Sequence, residues 1–578
     1  MRSEYFINKE LFRKHFITLL EEIYVIDFNE SNLKQQYNTL VELIKRNTSN
    51  NWNKTKKNTN KKLYYFCSEI NLGKSLYTNI INSGIKEVIE EAFLDLNINL
   101  EDLLNLENDF ESEEISLLDS LTTSNLLANV FSVRTNKSNL EIETISEEVK
   151  FYGNVYFKQE ETLKCIHECF DIIETTAYEC PVIGYNNNVV NTITRWDTNF
   201  TGLKRDYLYI SASLQTILKN NDINNIIINI TDQSSLVVVE LMRLLMDDYN
   251  YSWSEAYTTT KECVIYNKTS DYTYNTKKFC ELLPRLYTIV EELNNRNNCS
   301  LIDEDINISD VANTFNLTVY NYEGLSHRKW CLNINNELSD TLNEYALGWI
   351  QNPNTINNLN KSISKRRLQK KFRDMKIERK KSLYNKINHN FIENGLLAKV
   401  ENNILSIVHI LYLHNQLKYN ISFKDNFTPI TFLITFEHNL LLNLNNDCDT
   451  NSYLKIIEIK NYNETLEQLI VTSVDIVDKT NAKYLLNGVL SVYDNLVEEE
   501  FNEFSFLLNE YNLEYDDNLK YFNSYKKRYS ELNELNKDEV LWCREMINTT
   551  LKSINHLSDN KVEKLNNEIF KLNKVKIN

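Results

Sequence analysis

With 578 residues, 42% of them hydrophobic and 25% charged, the chain has the balance of a soluble globular protein, and it is too long for one hydrophobic core, so two or three domains are expected. A formal net charge of -18 repels polyanions and sets aside a general nucleic-acid binder. Nine glycines, no two within ten positions of each other, leave no GxGxxG or P-loop cradle, because such loops need clustered glycines to bring backbone N–H groups close to phosphate.

The first 46 residues read as helices, with Phe12, Phe16, Leu19, Leu20 and Ile23 at helical spacing. The Asn/Lys-rich stretch 47–62 reads as an exposed loop. Short β-branched or aromatic runs at 63–67, 226–230, 430–436, 454–459 and 489–492 read as strands, and 85–96 and 235–246 read as helices between them. Strands alternating with helices predict α/β layers around largely parallel sheets. Lysines and arginines crowd 361–381, beside Leu368, Phe372, Met375 and Leu383 at near-helical spacing. That pattern predicts an amphipathic helix with a solvated basic face; a polyanion-binding helix is the alternative. Ten scattered cysteines without a CxxC unit point to buried free thiols rather than to zinc or disulfides, and none of the eight histidines sits in a metal-binding pattern. No apolar run approaches the length of a membrane span and the first residues lack the apolar core of a signal peptide. A cytoplasmic protein with neither membrane nor nucleic-acid partner is expected.

The segment Asn481-Ala-Lys-Tyr-Leu-Leu-Asn-Gly488 resembles the cofactor-lysine strand of the glycogen and starch phosphorylases. Upstream, and in that family's order, run Lys62-Leu-Tyr-Tyr-Phe-Cys-Ser-Glu-Ile-Asn-Leu-Gly-Lys-Ser-Leu76 with Asn82-Ser-Gly-Ile85, then Tyr178-Glu-Cys-Pro-Val-Ile-Gly-Tyr185 with Asn188-Val-Val-Asn-Thr-Ile-Thr-Arg-Trp196. Glu240-Leu-Met-Arg-Leu-Leu245, Tyr266-Asn-Lys-Thr269, Leu282-Leu-Pro-Arg285 and Glu323-Gly-Leu-Ser-His-Arg-Lys-Trp330 follow, and 554–575 is similar to the family's last helix. The chain thus resembles a shortened, divergent member of the α-glucan phosphorylase family. The resemblance implies an α/β fold of GT-B-like type, with two Rossmann-like domains facing across a cleft. An N-terminal domain, 1–320, would carry dimerisation and part of the cleft. A C-terminal domain, 321–578, would carry the cofactor site, its last helix packing back on the first domain.

By the same resemblance Lys483 stands where the family forms a Schiff base with pyridoxal phosphate, which requires an amine in a partly desolvated pocket. Tyr462 and Trp330 match positions near the cofactor. The rest departs from the family. The loop before Asn481, residues 474–480, is short and has no glycine for the cofactor phosphate. Val408, His409, Leu411 and His414 stand in place of a lysine, an arginine, a histidine and a second lysine of the phosphate site, and a histidine of ordinary pKa ~6.5 is mostly neutral at pH 7. Lys268 replaces a histidine that grips glucose, Gln233 a histidine after Asp232, and Glu323 an asparagine of the domain crossing. Residues 108–112, matching the glycine-rich loop over the active site, have no glycine and add Asp109 and Glu111.

Two functions follow as expectations. The first is a catalytically degenerate homologue serving as a non-catalytic structural, regulatory or partner subunit in glycogen metabolism. It would act as a homodimer or as a heteromer with an active phosphorylase, with glycogen as a further ligand. Pyridoxal phosphate would then be absent, and Lys483 a lysine snorkelling from a strand end. The second is an active enzyme that holds pyridoxal phosphate on Lys483 and releases glucose 1-phosphate from glycogen.

Overall fold

The computed structural model describes residues 4–107, 112–155, 167–297, 299–390, 395–493, 496–499 and 505–577. The chain divides into two compact units, Met1–Gly324 with Lys561–Asn578, and Leu325–Asn560. The α/β class expected of a GT-B-like chain is found in both.

The first unit opens with helix α1 (Lys9–Tyr24), started by the Asn8 side chain, which accepts a hydrogen bond from the Leu11 N–H at 2.9 Å. Its Phe12, Phe16, Leu19 and Leu20 are buried as their spacing requires, whereas Ile23 is exposed. Helix α2 (Leu33–Lys56), begun by an Asn32/Gln35 capping box, runs on through most of the stretch expected to be a loop. The reason is a stripe hidden in the polar composition. Thr48, Trp52 and Thr55 lie at i, i+4 and i+7 and are buried, and the Trp52 indole donates to Thr192 Oγ1 at 2.9 Å.

The strands of this unit are β1 (Lys62–Glu69), β2 (Ala128–Val133), β3 (Ile142–Val155), β4 (His167–Ile183), β5 (Val190–Trp196), β6 (Ile226–Thr231), β7 (Val264–Asn267), β8 (Thr273–Asn275), β9 (Asp305–Asn307) and β10 (Thr318–Tyr320). The order β10-β7-β6-β1-β2-β5-β4-β3 makes an eight-stranded sheet. It is parallel from β10 to β5, with β4 and β3 antiparallel at the far edge. Helices α3 (Gly202–Asn220) and α4 (Val237–Asp247) bury long apolar faces in the core that includes the centre of this sheet. Strands β8 and β9 form a separate antiparallel pair.

The strands of the second unit are β11 (Leu396–Val400), β12 (Ile430–Ile434), β13 (Leu454–Glu458), β14 (Ile476–Val477) and β15 (Leu490–Ser491), paired in parallel in the order β13-β12-β11-β14-β15. Counted along the unit this is 3-2-1-4-5, the doubly wound order. Helices α5 (Arg366–Lys386), α6 (Ile404–Tyr419), α7 (Glu464–Ser473), α8 (Ala482–Leu486), α9 (Phe522–Asn536) and α10 (Glu539–Lys552) complete it. Gly488, at the end of the motif that suggested the family, has φ +66°, and a Cβ there would lie 2.8 Å from the Met546 carbonyl oxygen of α10. The glycine is therefore needed for close packing of the backbone.

The basic run at 361–381 becomes α5, but not wholly with a solvated charged face. Lys371 and Arg367 pair with Glu344 at 2.5 and 3.0 Å, Arg373 pairs with Glu539 at 2.6 Å, and Arg379 pairs with Glu337. Two lysines go inside. Lys380 meets Asp475 at 2.5 Å, and Lys376 donates to the carbonyls of Val474, Asn487 and Thr472 at 2.9, 3.1 and 3.3 Å. Lys365, Arg366 and Lys370 remain exposed on the solvent side of the helix.

The last helix, α11 (Ser558–Leu565), passes through a wider turn at Asn566–Phe570 and stops at Lys571, whose φ of 52° is left-handed. It therefore ends short of the expected 575. The chain beyond has no regular secondary structure: the Val575 N–H donates to the Asn125 carbonyl at 2.8 Å, and Asn188 Nδ2 to the Ile577 carbonyl at 3.0 Å. Val575 and Ile577 pack with Leu127 and Val189.

Candidate functional site

In a doubly wound sheet ligands bind beyond the carboxyl ends of the strands, where the order reverses. In the second unit that place lies between β11 and β14. The chain leaves β14 at Asp478, a fully buried carboxylate that accepts from the Glu401 N–H at 3.0 Å, from the Tyr525 hydroxyl at 2.6 Å and from the Ser406 hydroxyl. Burial pushes its carboxyl up to about 6. These bonds tie the turn after β11 to the end of β14 and to α9.

Lys399 is the one polar residue of β11. Its ammonium donates to Glu467 Oε2 and Oε1 at 2.9 and 3.1 Å, to the Tyr484 hydroxyl at 3.0 Å and to the Tyr462 hydroxyl at 3.3 Å. Tyr462 in turn donates to Glu467. Burial, then the hydrogen bond to Glu467, holds the Tyr462 phenol well above its ordinary range; for Tyr484 burial leads, followed by the charge of Glu467. Glu467 and Glu464 both sit in the first turn of α7, which is capped by Asn463 and whose dipole favours acids there. Glu464 Oε1 lies 3.9 Å from the Lys483 ammonium, which also stands 5.8 Å from the centre of the Trp330 ring.

Lys483 thus comes together with Trp330, and Tyr462 with a second lysine nearby. The surroundings of Lys483 differ from expectation, because it lies in the first turn of helix α8 and not on a strand. Asn481 Oδ1 accepts from the N–H groups of Lys483 and Tyr484 at 3.0 and 3.3 Å, and this cap starts the helix.

Val408, His409, Leu411 and His414 all lie on α6 and are buried. Val408 and Leu411 belong to the aliphatic core of the unit. His409 stacks on Tyr529 at 4.3 Å between ring centres and meets the edge of Tyr525 at 5.2 Å; burial pushes its imidazole down to about 3. His414 Nε2 is 3.2 Å from Asp447, which also pairs with Lys418 at 3.0 Å. For His414 burial, partly opposed by Asp447, leaves the pKa below the ordinary value. This stretch of α6 is spent on packing.

Gln233, Lys268 and Glu323 belong to the first unit. Gln233 accepts from the Ser68 hydroxyl, and Lys268 pairs with Asp271 at 3.3 Å. Glu323 is exposed, and its charge acts on Lys561. Beside Gln233, Asp232 accepts from the Tyr266 hydroxyl at 2.7 Å, from Thr269 at 2.6 and 3.0 Å and from Ser270 at 2.8 and 3.2 Å. Burial would raise its pKa, but these bonds outweigh it and lower the carboxyl. Residues 108–111, including Asp109 and Glu111, lie outside the described residues.

The residues that the sequence reading did not single out are Lys399, Glu464, Glu467, Asp478 and Tyr484. Two signals pointed to the first three: a lone lysine inside the apolar run Leu396–Val400, and two glutamates three apart behind a capping asparagine. Neither signal says which lysine meets which acid.

A phosphorylated cofactor on Lys483 needs cations for its phosphate. Among the described residues the ammoniums of Lys399 and Lys483 face Glu467 and Glu464, phenols join them, and the charge of Glu401 acts on the same phenols. A phosphate brought beside Glu464 and Glu467 meets like charge, worth about 4 kcal/mol per charge pair at 4 Å and an effective dielectric near 20. The donor set does not fit a phosphate-bearing cofactor. Among the described residues no group of three or more His, Cys, Asp or Glu side chains could hold a metal ion, and no helix is long and apolar enough to cross a membrane.

A family model described as carbohydrate phosphorylase matches residues 201–319, all within the first unit. Similarity to individual proteins extends further. Glycogen phosphorylase of Bacillus subtilis is 24% identical, covering 84% of this chain and 82% of that protein. The enzyme of Chlamydia trachomatis is 21% identical over 75% of this chain and 74% of its own length. The liver form of human glycogen phosphorylase is 20% identical over 83% and 78%. Together with the α/β architecture and the ordered motifs, these similarities support a divergent member of the glycogen phosphorylase family.

Proposed function

We propose that this chain is a catalytically degenerate phosphorylase homologue that acts in the cytoplasm as a structural, regulatory or partner subunit in glycogen metabolism. The observation that supports this reading is the charge balance at the switch point, where Lys399 is held by Glu467 and Lys483 faces Glu464. Phosphorolysis brings a phosphate dianion to such a place, and a site whose two lysines each face a carboxylate does not favour it. Retention of the fold with altered site residues fits a surface kept for association, either with a second copy or with an active phosphorylase. Glycogen is a further candidate ligand of that assembly.

The test is an assay of purified protein with maltodextrin, inorganic phosphate and added pyridoxal phosphate, followed by borohydride reduction and peptide mass mapping. No glucose 1-phosphate and no pyridoxyl group on Lys483 is the expected result. Turnover that disappears in Lys483→Ala would overturn the proposal in favour of an active enzyme. The observation on that side is that Lys483 stays beside Trp330 with its side chain 40% exposed. Affinity purification from the native cell then separates homodimer from heteromer, because the heteromer requires a full-length phosphorylase at fixed stoichiometry.

A further inference from the structure

We infer that the first turn of α7 serves as a built-in anion, with Glu467, assisted by Glu464, occupying the electrostatic place of an external phosphate at the switch point of the second unit. The inference rests on the functional reading above and gives it a physical cause. Lys399 stands near the carboxyl end of the strand that starts the doubly wound sheet, beside the switch point at which such sheets bind ligands. Its side chain is 9% exposed and that of Glu467 19%, so water screens the pair poorly. Both oxygens of Glu467 are engaged, one at 2.9 Å and one at 3.1 Å, and phenols from Tyr484 and Tyr462 take up the remaining reach of the lysine.

That geometry is what a bound oxyanion would supply: two acceptor oxygens on one cation, with hydroxyl donors around them. The carboxylate belongs to the chain and so is present at an effective concentration that a free anion in the cell does not match. The Asn463 cap and the helix dipole hold Glu467 in the first turn at little cost. Glu464 adds a second negative charge on the same turn, facing Lys483. Together they balance the two lysines, and they repel any anion that approaches either one.

Removing the carboxylate charge while keeping its shape should therefore turn the crevice into a phosphate site. Inorganic phosphate is the probe, read by phosphorus NMR line broadening and by calorimetry on the full chain. The unaltered protein is expected to show no saturable binding up to about 10 mM, whereas Glu467→Gln, and more so Glu464→Gln with Glu467→Gln, should bind about tenfold or more tighter. Adding Lys399→Met to the double variant should abolish the gain. A folded double variant that binds no better than the unaltered chain overturns the inference.

A second measurement needs no variant. Acetic anhydride labelling with mass mapping should leave Lys399 equally protected with and without phosphate. Labelling of Lys399 that phosphate suppresses overturns the inference as well. Phosphate binding by the unaltered chain without turnover defeats this inference alone, and turnover of maltodextrin defeats the proposed function, so the two failures are separable.

Discussion

Glu467 grips Lys399 with both carboxylate oxygens, at 2.9 and 3.1 Å, across 68 residues of sequence. A lysine at the carboxyl end of the first strand of a doubly wound sheet is placed to meet a ligand, and here it has met its own chain instead. The pair is mostly buried, so breaking it by removing one partner leaves the other charge poorly solvated.

Lys399→Met is expected to destabilise the second unit by about 2 to 4 kcal/mol, because Glu467 then keeps only phenol donors. Glu467→Gln with Lys399→Met should cost less than the sum of the two single changes. Urea denaturation of the four proteins gives the coupling directly, and strict additivity would contradict the structure.

His409 and Asp478 titrate in opposite senses, and Tyr525 contacts both. His409 falls to about 3 in the folded chain, so below its ordinary pKa of ~6.5 the unfolded state binds the extra proton and acid removes stability. Asp478 rises to about 6, so above its ordinary ~3.9 the folded state holds the extra proton and stability falls as pH rises. Between about pH 4 and 6 the two slopes, each up to ~1.4 kcal/mol per pH unit, offset one another. His409→Phe should therefore show stability falling from pH 4 to 6, and Asp478→Asn the reverse. Chemical denaturation at pH 4, 5 and 6 decides it; identical profiles for both variants would be inconsistent with these pKa directions.

Lys376 is fully buried among three carbonyls, and burial brings its ammonium down to about 7. Between pH 7 and its ordinary ~10.4 the unfolded state binds the extra proton, so stability should rise with pH across that window. Lys376→Met should lose that rise and, by leaving the carbonyls of 472, 474 and 487 without their donor, cost about 2 to 4 kcal/mol at pH 7. Thermal melts of both proteins from pH 7 to 9.5 test both parts.

Gly488→Ala places a methyl group 2.8 Å from the Met546 carbonyl at a φ of +66°. Strain and clash together should cost about 2 to 4 kcal/mol. Gly84→Ala, with the same φ and open space around it, should cost about 1 kcal/mol, from strain alone. Melting temperatures of the two variants separate clash from backbone strain.

Periodicity along the sequence was enough for α1, for β1, β6, β12 and β13 and for the α/β class, because a stripe of Phe12, Phe16, Leu19 and Leu20 or an apolar run such as 226–230 is a local property. The ordered motifs were likewise legible one at a time. What was not legible depended on partners far along the chain. Residues 47–56 look like a polar loop until Trp52 finds Thr192. Lys376 and Lys380 look like the rest of a basic surface until the carbonyls of 472–487 and Asp475 close over them.

The same distinction governs the candidate site. Sequence alone pointed to Lys483, Tyr462 and Trp330 by their motifs, and it places aliphatic residues at 408 and 411. Only the folded chain decided that α6 turns those positions into core, that Lys483 begins a helix, and that Lys399 is matched by Glu467. An ion pair between residues 399 and 467 is set by where β11 ends and α7 begins in space, and the strength of that pairing comes from the water both groups have lost.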